Sequence, residues 1–238
     1  MTAGTLYLIP VALGPADTAL TTPTDVANRA RSLGYFVVEN AKTARADLKR
    51  FEHPQPLREL DIRELPANPG PADLDALLAP LLAGTDAGLM SEAGCPAVAD
   101  PGALLVRRAH EQGIRVVPLV GPSSLLLGLM ASGLNGQSFA FHGYLPVDEE
   151  ARKKRIRELE AESARMSRTQ LFIETPYRND RMFEALRGTC NPETRLCVAR
   201  DLTTDDEWIA TRRIADWKNA PAPDLARRPT VFLLLAGK

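Results

Sequence analysis

The amino-acid sequence predicts two α/β domains, with a parallel sheet in the first and a mixed sheet in the second. Three observations carry that reading. Short apolar runs alternate with helical patterns through the first half, the signature of a parallel sheet covered by helices. The strand signals change spacing after about Val120, some being joined by helices and others by short turns. Glycine and proline concentrate in the segments that follow the early strands. The boundary is placed so that residues 1–119 form one domain and 120–238 the other.

In the first half, Gly4 to Pro10, Gly34 to Glu39, Ala87 to Met90 and Arg115 to Leu119 read as strands. Thr24 to Leu33, Ala72 to Leu82 and Gly102 to Gln112 read as helices; Leu74, Leu77, Leu78 and Leu81 recur at helical spacing. Residues 40–68 are polar and proline-bearing, so partly irregular structure is expected there. An apolar helix is expected over Leu125 to Ala131, with Ser123 or Ser124 as its cap. Five further strands are expected: Phe139 to Phe141, Gln170 to Glu174, Arg195 to Ala199, Glu207 to Ala210 and Val231 to Leu235.

Bulk properties narrow the function classes. Net charge is −1 and charged residues make up 25% of 238, so no global basic field points to nucleic acid and no acidic excess to disorder. Three cysteines show no metal-ligand spacing, and no metal is expected. They favour a reducing cytoplasm over a disulfide scaffold. No apolar run is long enough to span a bilayer, so no membrane association is expected. GxGxxG and GxxxxGK[ST] are absent, and His53, His110 and His142 stand in no nucleophile context.

The segment SEAGCPAVADPG, Ser91 to Gly102, is small, stiff and acidic. It reads either as a tight structural crossover or as a ligand wall. Ligands in open α/β sheets sit beyond the carboxyl ends of the strands, and small residues let a loop lay its backbone against them. The charge-dense stretch Asp148 to Arg168, with Arg152, Lys153, Lys154, Arg155 and Arg157, reads either as a solvated amphipathic helix or as a face toward an RNA backbone.

GTLYLIP, SEAGCPAVADPG, GIRVVPLVGPSS with ASGL, FHGYLP, FIETPYR, VARDLT and RPTVFLLLAG occur in that order. In combination they resemble the tetrapyrrole methylase superfamily of S-adenosylmethionine-dependent methyltransferases. Within it the chain is most similar to the small-subunit ribosomal-RNA ribose 2′-O-methyltransferase family. The resemblance runs nearly end to end. It implies S-adenosylmethionine as cofactor in a cleft between two α/β domains, an RNA substrate and a homodimer. By position it implies cofactor contacts from Pro10, Gly94, Cys95, Val98, Ser123 and Ser124, and from Glu174, Thr175, Asp201, Leu202, Pro229 and Thr230.

Methyl transfer from a sulfonium is an in-line displacement, for which the protein supplies alignment and electrostatics. A base would assist a hydroxyl acceptor, and Glu39 and Asp100 are the candidates. Their plainer readings are a helix cap for Asp100 and a pairing with Lys42 or Arg45 for Glu39. The chain departs from the family's usual pattern after the first two strands, at Pro10 to Pro15 and Glu39 to Thr43, and has Glu92 for Asp and Cys95 for Thr. Two other readings therefore stay open. One is a methyltransferase for a small molecule such as a tetrapyrrole; only 5% aromatic content leaves little to stack on a macrocycle. The other is a cofactor-binding module without catalysis.

Overall fold

The computed structural model describes residues 2–15 and 18–237; of Thr18 and Ala19 it describes the backbone alone. The chain divides into two compact units, Met1–Ser123 and Ser124–Lys238.

The first unit carries strands β1 (Thr5–Leu8), β2 (Tyr35–Val38), β3 (Asp61–Glu64), β4 (Ala87–Met90) and β5 (Arg115–Pro118). Their order is β3-β2-β4-β1-β5, and every pairing is parallel. Helices α1 (Thr18–Thr21), α2 (Thr24–Arg31), α3 (Ala41–Arg50), α4 (Pro71–Leu82) and α5 (Gly102–Glu111) connect them. All four residues of β2 and of β4 are buried, as expected for strands covered on both faces. Successive side chains point to opposite faces. Val37 and Leu89 pack with Leu74, Leu78, Leu105 and Ala109 on the α4–α5 face. Phe36, Val38 and Met90 pack with Val26, Ala30, Ala44 and Leu48 on the α2–α3 face.

The second unit carries α6 (Ser124–Ser132), β6 (Phe139–Tyr144), α7 (Glu149–Met166), β7 (Thr169–Ile173), α8 (Asn179–Thr189), β8 (Arg195–Arg200), β9 (Trp208–Arg213), α9 (Ile214–Asn219) and β10 (Thr230–Leu235). Strand order is β6-β7-β10-β8-β9. β6 and β7 are parallel, and the remaining pairs are antiparallel. This is the mixed sheet. One face packs Phe172, Val198, Phe232 and Leu234 with Ile156, Leu159, Phe183 and Trp217 of α7, α8 and α9. The other face packs Leu171, Cys197, Val231 and Leu233 under Leu129 of α6. Among the described residues no helix is long and apolar enough to cross a membrane.

Residues 40–68 are partly irregular, as expected, but hold one helix and one strand that their polarity hid. Asn40 accepts the N–H groups of Lys42 (2.9 Å) and Thr43 (3.2 Å) through its side chain, and so starts α3. The helix buries only Ala44, Asp47 and Leu48, too thin a stripe to read in sequence. β3 is an edge strand with three of its four residues exposed, so its periodicity is faint.

Candidate functional site

The order of the first sheet creates a switch point. The chain leaves β1 toward β2 on one side, and leaves the adjacent β4 toward β5 on the other. Such divergence opens a crevice beyond the carboxyl ends of the two strands. The segments emerging there are Ile9 to Pro15 and Ser91 to Gly102, flanked by Glu39 after β2 and Leu119 to Ser123 after β5.

Backbone contact knits these segments together. Val11 and Gly94 exchange hydrogen bonds, N–H of Val11 to the Gly94 carbonyl at 3.0 Å and the reverse at 3.2 Å. Gly94 sits at φ +71°, a region open to glycine at little cost. A Cβ on Gly121 would lie 2.2 Å from Cβ of Pro10, so only glycine admits this approach. The Cys95 thiol donates to the Pro122 carbonyl at 3.4 Å. Burial pushes that thiol up. Pro10, Gly94 and Cys95 thus share one edge of this unit.

The middle of the Ser91–Gly102 loop is strained. Ala97 and Ala99 lie at φ 67° and 63°, left-handed positions that alanine occupies at a cost. Between them Val98 points outward, 48% exposed. Asp100 braces the turn: both of its oxygens accept the Ala97 N–H (3.0 and 2.9 Å), and one accepts the Gly102 N–H at 2.7 Å. Burial pushes the Asp100 carboxyl up; the two N–H partners work against this, and the Glu39 charge adds to it. Glu39 accepts the Glu92 N–H at 3.0 Å through Oε2, and among the described residues it makes no ion pair with Lys42 or Arg45. Its second oxygen has no hydrogen bond from the described residues.

The second unit has a comparable edge. β10 runs antiparallel between β7 and β8, so the ends of β7 and β8 lie beside the start of β10. This brings together Glu174 and Thr175, Asp201 and Leu202, and Pro229 and Thr230; the Asp201 N–H donates to the Pro229 carbonyl at 2.9 Å. The Glu174 carboxylate, 1% exposed, receives Nη2 of Arg178 at 2.5 Å, Nε at 3.0 Å and the Thr175 N–H at 2.6 Å. Asp201 receives Arg200 at 2.9 Å and Arg228 at 2.7 Å. Leu202 and Thr230 are buried, and the Thr230 hydroxyl donates to the Arg228 carbonyl at 2.9 Å. Ser124 opens α6 in this unit, while Ser123 ends the first.

Sequence reasoning missed Arg178, Arg200 and Arg228, which neutralise the two acids. Arg178 stands four residues after Glu174, a spacing that signals a pair; nothing in the sequence joins Arg228 to Asp201. For the basic stretch, the internally paired alternative is the one the contacts favour. Arg152 is buried and donates to the Val147 carbonyl at 2.9 Å. Lys153 pairs with Glu149 (2.6 Å) and Glu150 (3.1 Å), and Arg155 with Glu158 (3.2 Å). Lys154 and Arg157 alone of the five are exposed without an ion pair among the described residues. The group is mostly an internally paired helix face.

No family model matches the chain. A ribosomal RNA small subunit methyltransferase I from Pseudomonas aeruginosa is 31% identical over 245 residues, covering 100% of this chain and 80% of that protein. The Xylella fastidiosa protein of the same name is 30% identical, over 98% of this chain and 81% of its own length. The chain belongs to the ribosomal RNA small subunit methyltransferase I family. The match to the Vibrio cholerae member is stronger but shorter, 36% identical over 65% of this chain and about half (52%) of that protein. Among solved structures, the methyltransferase CobJ covers 99% of the chain, and the chain 95% of it, at a TM-score of 0.64 and 21% identity. Uroporphyrin-III-C-methyltransferase from Thermus thermophilus covers 98%, 92% of its own chain being matched, at 0.55 and 16%. These likenesses establish the shared two-part α/β fold.

Proposed function

We propose that this member of the family transfers a methyl group from S-adenosylmethionine to a ribose 2′-hydroxyl of small-subunit ribosomal RNA. The observation that carries the reading is kinship along essentially the whole chain to methyltransferases named for that RNA.

The chain's own residues fit such a donor. A sulfonium is cationic and compact, and it suits carbonyl oxygens, carboxylates and small side chains. The first unit's edge offers the Gly121 and Pro122 carbonyls, Gly94, Cys95, the outward Val98, and the carboxylates of Glu39 and Asp100. When bound, the donor supplies an electrophilic methyl group; the new oxygen–carbon bond forms as the sulfur–carbon bond breaks, and the hydroxyl proton must leave. Glu39 is the better candidate to take it, because one of its oxygens is uncommitted. Asp100, with both oxygens on backbone N–H groups, shapes the loop that Val98 crowns. The edge of the second unit, through Thr175, Asp201 and Pro229, is proposed on its own to face ligand.

Lys154 and Arg157 are the cations of the basic helix left for phosphates. Replacing both by alanine should lower the salt slope of RNA binding by about 0.7–0.9 for each phosphate no longer neutralised. By analogy with the superfamily we also propose a homodimer in the cytoplasm; light scattering should then give twice 25.9 kDa, and the single-chain mass would contradict it.

The deciding assay supplies labelled S-adenosylmethionine to small ribosomal subunits, to total RNA and to small-molecule extract, all from a strain lacking this protein. Label in a 2′-O-methylated nucleoside is the expected result. Label only in small molecules would move the acceptor to that class, and binding without transfer would leave a cofactor-binding module.

A further inference from the structure

We propose that Tyr177, backed by Arg227, is a stacking platform for an unpaired base of the RNA substrate; this rests on the RNA reading above. Tyr177 lies in the turn between β7 and α8, within Glu174-Thr175-Pro176-Tyr177-Arg178. The residue is 80% exposed, so the ring is open to a flat partner. The Tyr177 hydroxyl has no hydrogen bond among the described residues, so nothing inside the protein asks for a tyrosine there.

The turn that carries the ring is fixed by two backbone hydrogen bonds. Thr175 accepts the Arg178 N–H at 2.9 Å through its carbonyl, and Pro176 accepts the Arg227 N–H at 3.0 Å. The second bond pins the segment before β10 onto this turn. Arg227 itself sits at φ 60°, a left-handed conformation that directs its side chain over the ring, with the guanidinium carbon 5.9 Å from the centroid. That distance is within cation–π range.

Among the arginines of this edge, Arg227 stands apart. Arg178 is committed to Glu174, Arg200 to Asp201, and Arg228 to Asp201 and Asp224. Arg227 is exposed and pairs with no acid among the described residues. Arg181, on the first turn of α8, is likewise exposed and unpaired among them. Asp180 beside it keeps the net charge of the turn small, so stacking rather than attraction at a distance carries recognition. An exposed aromatic ring backed by the unpaired guanidinium of Arg227 is the arrangement that captures splayed bases of single-stranded RNA, where rings and guanidinium planes stack and arginines meet phosphates.

The test measures RNA binding by anisotropy, using a labelled single-stranded oligoribonucleotide of mixed sequence, and steady-state methylation of small-subunit ribosomal RNA. Tyr177→Ala should raise both Kd and KM for RNA about fivefold or more, with kcat and S-adenosylmethionine affinity unchanged. Tyr177→Phe keeps the ring and should restore both to within about twofold of the wild type. Tyr177→Trp should bind RNA with its emission quenched on stacking. Tyr177→Ala that binds RNA as the wild type does, or that loses kcat at unchanged KM, overturns the platform while the RNA reading stands. A wild-type protein that binds no RNA overturns both.

Discussion

The two loop edges, one in each unit, are held by different physics. In the first unit the edge beyond β1, β2, β4 and β5 contains no ion pair among the described residues. Backbone touches backbone at Val11 and Gly94, Gly121 fits under Pro10, and the loop carboxylates of Asp100 and Glu39 accept N–H groups. In the second unit the edge beyond β7 and β8 is held by arginine–carboxylate pairs at Glu174 and Asp201. Close approach needs small residues and gives a fixed, salt-insensitive shape. Ion pairs tolerate larger side chains but leave a charge stranded when either partner is removed.

That difference can be broken at chosen positions. The largest effect is expected at Glu174→Ala, which strands the Arg178 guanidinium and removes the acceptor of the Thr175 N–H. Urea unfolding should show a loss of about 3 kcal/mol; a loss under about 1 kcal/mol would mean that the pair behaves as a surface bridge. Next is Gly121→Ala. The new Cβ collides with the rigid Pro10 ring, so the two loops must part at a cost of about 2 kcal/mol, and S-adenosylmethionine affinity should fall with it. An unchanged affinity would detach this edge from the cofactor.

The smallest effect sharpens the comparison from the opposite direction. Ala97→Gly relieves a left-handed alanine, offset in part by the greater freedom of glycine in the unfolded chain. A gain of no more than about 1 kcal/mol is expected, read as a rise in the urea midpoint. If that gain came with weaker cofactor binding, the strained loop would be a fixed binding surface whose rigidity matters.

The same contrast decides how much was legible in the sequence. The first edge announces itself, because close backbone approach demands glycine and proline, and Gly94, Gly121 and Pro10 stand in the open sequence. Fully buried strands and strongly periodic helices were legible too: β2 and β4 are continuous apolar runs, and α4 repeats its leucines at helical spacing. α3 was not, since its buried stripe is an alanine, a leucine and an aspartate, and its start depends on one asparagine side chain. β3 was not, being an exposed edge strand. The second partner of Asp201 was hidden because Arg228 reaches it across the pairing of β8 with β10, a relation that only the folded sheet creates. The basic helix was left with two readings because a run of cations looks alike whether it faces solvent, its own glutamates or a nucleic acid.

Cofactor binding at the first unit's edge is the central claim, and calorimetric titration of the full chain with S-adenosylmethionine measures it. The expected result is saturable heat near one equivalent per chain, with a rise in melting temperature corresponding to about 2.7 kcal/mol at a hundredfold excess over Kd, both reduced in Gly121→Ala. Absence of heat together with an unmoved melting temperature at millimolar cofactor would contradict it.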